Sequence, residues 1–118
     1  MLDQITEASL LYDFYGNLLT DRKRQVMELY HEENLSLSEI ASEFNISRAA
    51  VYDSLKSAEK SLSDYEKKLG LVDRFLKRES AIEEIAHIID DITIKRSDDL
   101  QLNDSLMQIK NIISKLGE

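Results

Sequence analysis

Cysteine is absent from this sequence, which removes disulfides, thiolate zinc sites and cysteine nucleophiles together. Proline is absent too, where average usage would supply about six in 118 residues. Proline breaks helices and marks turns, so its absence fits helices joined by short connections. Valine and threonine are scarce, three of each, against 17 leucines and 12 isoleucines. Strands draw on valine, threonine and aromatics, so the fold class is read as all-α. No apolar run reaches membrane-spanning length, and the opening MLDQITEAS has neither a positive flank nor a hydrophobic stretch. Neither a membrane span nor a secretory signal is expected, and a cytoplasmic location is. The three glycines are scattered at Gly16, Gly70 and Gly117, so no phosphate-cradling loop exists.

A chain of 118 residues is one domain, or one small domain with an appendage. Its net charge of −8 gives it no favourable overall field toward nucleic acid. Local concentration of positive charge therefore decides that question. Residues 20–70 are the least acidic stretch and hold the one dense basic run, Arg22-Lys23-Arg24.

Along the chain, residues 5–15 are densely apolar, and Leu10, Phe14 and Leu18 recur every four residues. Gly16-Asn17 predicts a helix stop, with glycine accepting the left-handed conformation. Thr20 reads as the N-cap of a second helix running to about Glu33, with Val26, Leu29 and Tyr30 facing inward. Ser36 and Glu39 then form a capping box, and Leu37, Ile40, Ala41 and Phe44 share one face of a two-turn helix. Asn45, which tolerates the left-handed region, precedes Ile46, and Ser47 caps a new helix at once. That new helix carries the seam Val51, Leu55, Ala58, Leu62, Tyr65 and Leu69, at spacings of four and three. Gly70 ends or kinks it. Over residues 48–69 it is about 33 Å long, more than a recognition helix needs, and its distal half is expected to pack on the C-terminal helices.

These two helices have helix-turn-helix spacing: small Ala41 where they touch, Phe44 and Ile46 around the turn, and Val51 as the later anchor. If the second helix enters a major groove, Ser47, Arg48, Ala49, Tyr52, Asp53 and Lys56 face outward. Ser47 and the free N–H groups suit a phosphate, Arg48 suits guanine or the backbone, and Asp53 repels phosphate. A plain solvated face fits the same residues. Arg22, Lys23 and Arg24 sit in a helix's first turn, where cations oppose the dipole by a few tenths of a kcal/mol each. Either an anionic ligand or simple solubility accounts for them.

Catalysis is not expected. His31 and His87 lack ligand spacing, so no metal site or cofactor is predicted. His87 reads as a half-buried core residue. Glu83-Glu84 and Asp90-Asp91 read as the polar face of an amphipathic helix.

The C-terminal third holds two more seams: Ile82, Ile85, Ile89 and Ile92, then Leu102, Leu106, Ile109, Ile113 and Leu116. Ser97-Asp98-Asp99 marks the start of the last helix. The seams suit one closed core or a two-fold homodimer. The chain is divided into a helix-turn-helix domain, residues 1–70, and a C-terminal packing or dimerisation segment, residues 71–118.

The run LSLSEIASEFNISRAAVYDSLKSAEKSL resembles region 4 of bacterial sigma factors. With YDFYGNLLTDRKRQVMELY before it and DYEKKL after it, the stretch from about Leu10 to Leu69 resembles the YlxM family of bacterial helix-turn-helix proteins. The resemblance implies a small, non-enzymatic, regulatory protein with a sigma-region-4-like fold, linked to the signal recognition particle pathway. It implies binding of DNA, of the particle's RNA, or of its GTPase components. Asp53 and Glu59 stand where sigma modules often carry basic residues. The candidate contact residues are Arg22, Lys23, Arg24, Ser47, Arg48, Ala49, Tyr52 and Lys56.

Overall fold

The computed structural model describes residues 4–116, and every regular element in them is helical. The helices are α1 (Gln4–Tyr15), α2 (Asp21–His31), α3 (Leu37–Phe44), α4 (Arg48–Leu69), α5 (Leu71–Lys95) and α6 (Leu100–Leu116). A short 3-10 turn, Gly16–Leu18, follows α1. The chain divides into two compact units, Met1–Val72 and Asp73–Glu118.

In the first unit α4 is the strut on which α1, α2 and α3 all pack. Val51, Leu55, Ala58 and Leu62 are buried along its length, following the seam read from the sequence. Burying each of the larger ones contributes about 1.5–3 kcal/mol. Exposure rises at the end of the seam, where Tyr65 is half-buried and Leu69 exposed. In the structure α1 and the turn after it cover the distal half of α4. Tyr15 is buried there, its ring 6.0 Å from that of Tyr65, whose hydroxyl donates to the Leu18 carbonyl at 3.3 Å.

Several local expectations change. Helix α1 does stop at Tyr15, but Gly16 does not take the left-handed conformation, since the one left-handed glycine among the described residues is Gly70. Gly16 serves instead by lacking a side chain, because a Cβ there would sit 3.1 Å from the Tyr12 ring. Thr20 holds the N-cap position of α2 with no capping bond from its side chain. On α2 the buried pair is Val26 and Met27, while Tyr30 is exposed. Helix α2 ends earlier than expected, at His31, and Asn34 adopts a left-handed φ of 58° in the connection to α3.

The second unit is a hairpin of α5 and α6. Lys110 Nζ lies 2.7 Å from Asp90 Oδ1 and ties the two helices together. Asp99 Oδ1 accepts from the Leu102 amide at 3.1 Å, the capping role expected of this stretch. Ile89 and Leu106 are buried. His87 is exposed and lies on the Glu83 side of α5, Nε2 to Oε1 4.0 Å, so the core placement read from its isoleucine neighbours is incorrect. Residue 87 falls outside the buried stripe that Ile82 and Ile89 define.

Candidate nucleic-acid interface

The helix-turn-helix is built by three local devices. Ser36 Oγ accepts from the Glu39 amide at 3.1 Å and Glu39 Oε1 accepts from the Ser36 amide at 3.1 Å, so α3 starts with both halves of a capping box. These bonds hold the Glu39 carboxyl below its ordinary pKa, the Ser36 backbone amide contributing most. Asn45 then closes α3 in the left-handed region, φ 54° and ψ 48°. Its side chain replaces the commoner glycine at tolerable cost. Ser47 begins α4 as its Oγ accepts from the Ala50 amide at 3.0 Å. Ile40, Ala41 and Val51 are buried where the two helices meet, and Ile46 is half-buried in the turn, as the spacing requires.

The N-terminal half of α4 presents Ser47, Arg48, Ala49, Tyr52, Asp53 and Lys56 outward, all exposed. Ala50 is half-buried. Arg48 makes no ion pair among the described residues. Lys56 is less free: its Nζ lies 3.6 Å from Glu59 Oε2 and 5.5 Å from the centre of the Tyr52 ring.

Of the basic run on α2, Arg22 reaches the same motif. The Arg22 guanidinium lies over the Phe44 ring at 4.4 Å, which joins the start of α2 to the end of α3. Arg24 pairs with Asp21 at 3.1 Å on its own helix. Lys23 is half-buried and makes no ion pair among the described residues. Two of the three cations therefore have a partner within the fold. The Asp21–Arg24 pair is legible as an i,i+3 spacing, whereas the Arg22–Phe44 contact joins residues 22 apart and leaves no local signal.

Among the described residues no cluster of His, Asp or Glu has the arrangement to hold a metal ion. No helix of the described residues is long and apolar enough to cross a membrane.

Residues 2–106 match the UPF0122 family of helix-turn-helix proteins, described as YlxM / p13 like. The chain belongs to this family. A UPF0122 protein of Desulforamulus reducens is 44% identical over 89 residues, covering 75% of this chain and 76% of the relative. UPF0122 proteins of Bacillus cereus strain AH187 and of Bacillus thuringiensis subsp. konkukian strain 97-27 are each 39% identical over 116 residues, 98% of this chain and 99% of theirs. The UPF0122 likeness thus runs well past the Leu10–Leu69 stretch and takes in both C-terminal helices. The family is one of helix-turn-helix proteins rather than of enzymes, and its name suits the α3–turn–α4 geometry.

Proposed function

We propose that this UPF0122 protein is a non-enzymatic, cytoplasmic regulator that binds nucleic acid through its helix-turn-helix. Its contact residues are Arg22, Lys23, Arg24, Ser47, Arg48, Ala49, Tyr52 and Lys56. The observation that carries the reading is the Arg22–Phe44 contact, because it joins the basic turn of α2 to the helix-turn-helix despite the chain's net charge of −8. The sigma-region-4-like sequence supports a groove-directed α4. The YlxM likeness supports a place in the signal recognition particle pathway, with DNA or the particle's RNA as ligand.

Asp53 on the same ridge, and the Glu59 carboxylate beside Lys56, favour a second reading. In it the motif is an adaptor that regulates the particle's GTPase components and touches no nucleic acid. Fluorescence anisotropy with duplex DNA and with the particle's RNA, repeated across salt concentrations, separates the two. Nucleic-acid binding gives a log–log slope of about −0.9 per phosphate contact on duplex DNA. Arg48→Gln should flatten it by about one contact. No binding to either nucleic acid leaves the adaptor.

Self-association belongs to the same proposal. Contrary to the seams read from the sequence, Ile85 on α5 and Ile109 and Leu116 on α6 are exposed, and with Ile88 and Ile112 they leave an apolar stripe on each helix. A two-fold pairing of these stripes makes the protein a homodimer. Light scattering should then give about twice the 13.6 kDa chain mass, and Ile88→Lys with Ile112→Lys should return the monomer.

A further inference from the structure

We propose that the groove between α1, α2 and α4 of the first unit is a docking site for a basic amphipathic helix of another protein. The groove encloses about 490 Å³. Its floor is apolar, formed by Leu11, Met27 and Leu62, of which Met27 and Leu62 are each 1% exposed. The side chains around it include two carboxylates, Glu7 and Glu59, against one cation, Lys56. Glu7 makes no ion pair among the described residues, while Glu59 shares Lys56 at 3.6 Å. Also in the wall is His31, whose Nε2 is buried without a hydrogen-bond partner. An occupant that reaches that nitrogen gains a hydrogen bond the fold leaves unmade.

The chemistry of this lining selects the occupant. A polyphosphate backbone would meet the two carboxylates, so nucleic acid is disfavoured here. An apolar floor open to solvent on one side takes one face of a helix, and methionine adapts to the leucine-type anchors such a face carries. Lysine or arginine flanking those anchors answers Glu7 and Glu59. The surroundings strengthen the match. The Tyr12 hydroxyl on α1 has a raised pKa, mainly through burial and then through Glu28 and Glu32 of α2. Lys56 lines the groove and is the one contact residue it shares with the α4 ridge, so the peptide titrations are repeated on Lys56→Gln to keep this reading apart from nucleic-acid binding.

The test uses the full chain and two fluorescein-labelled amphipathic peptides of one helical pattern, one of leucine and lysine and one of leucine and glutamate. The leucine–lysine peptide should bind saturably by anisotropy and the leucine–glutamate peptide should not. Glu7→Gln with Glu59→Gln should weaken binding roughly tenfold, the effect of two partly screened charge pairs. Glu83→Gln with Glu84→Gln makes the same change of net charge away from the groove and should leave affinity within twofold. The His31 Nε2 resonance should move on titration. Equal binding of both peptides, equal weakening by the two double variants, or an unmoved His31 resonance overturns the proposal. So does displacement of the peptide from the Lys56→Gln chain by duplex DNA, or a fall in peptide affinity as the chain concentration rises, which assigns the groove to nucleic acid or to a second copy. Circular dichroism of the double variants confirms that they fold.

Discussion

The Tyr15 hydroxyl donates to Glu66 Oε1 at 2.5 Å, joining the end of α1 to the end of α4. The same hydroxyl accepts from the Leu71 amide at 3.0 Å, and Glu66 Oε1 accepts from the Val72 amide at 3.0 Å. Two amides at the start of α5, which have no partner within their helix, are satisfied by side chains, one of them 56 residues away and the other six. Tyr15→Phe keeps the ring and removes the bridge. It should lower unfolding stability by about 1–3 kcal/mol, because the Leu71 amide and the Glu66 carboxylate each lose a partner. Urea denaturation followed by circular dichroism measures it, and an unchanged midpoint would refute the account.

The same phenol makes stability depend on alkaline pH. Its pKa is raised in the folded chain, first by burial and then by the hydrogen bond to Glu66, although the Leu71 amide works the other way. A raised pKa means that folding favours the protonated form. That contribution is complete below pH 10, the unfolded value, and is lost as pH rises through the folded pKa. Wild-type stability should therefore fall above pH 10 more steeply than that of Tyr15→Phe. The acid limb has the opposite sign. Glu39 is depressed below 4.5, so its contribution is present above that pH and is lost on acidification. Glu39→Gln should flatten this limb in denaturation curves taken at descending pH.

At the turn of the helix-turn-helix, backbone conformation sets the outcome. Asn45→Ala keeps a Cβ on a left-handed residue but removes the polar side chain that eases that conformation, and should cost about 1 kcal/mol. Asn45→Gly relieves the backbone but loosens the unfolded chain, so the net change should stay within about 0.5 kcal/mol. Ser47→Ala removes the bond to the Ala50 amide and should cost about 1 kcal/mol. Thermal melts of the three variants, ranked Gly above Ala and Ser47→Ala, check the assignment.

Replacing Arg22, Lys23 and Arg24 together by glutamine removes charges that oppose the α2 dipole, which alone would raise stability slightly. The structure reverses that expectation. The triple variant loses the Arg22–Phe44 contact and the Arg24–Asp21 pair, and it should be less stable by about 1 kcal/mol. Lys23→Gln alone should leave the melting temperature unchanged. If the triple variant melts above wild type, the Phe44 contact contributes nothing.

Local chemistry makes most of the fold legible in the sequence. The capping box at Ser36, the left-handed Asn45, the Ser47 cap and the spacing of Val51, Leu55, Ala58 and Leu62 are short-range signals, and all four reappear as read. Tyr30 and His87 were misplaced because apolar neighbours in sequence do not fix the phase of a helix, and only packing partners do. Gly16 was given a backbone role when its constraint comes from the Tyr12 ring. The outward residues of α4 followed from helical periodicity. The partners of Arg22 and Tyr15 did not, since both contacts close over chain separations that no local pattern encodes.

The stacking of Arg22 on Phe44 makes the cations near the motif unequal. An arginine already laid flat on a ring has surrendered its rotamer freedom during folding, so an incoming anion does not have to still it again. Lys23 and Arg48 enjoy no such rest and must be immobilised at each encounter. Arg22 is thus the fixed prong in the proposed set, and a negatively charged guest bound there would meet it at an angle the Phe44 ring has already set.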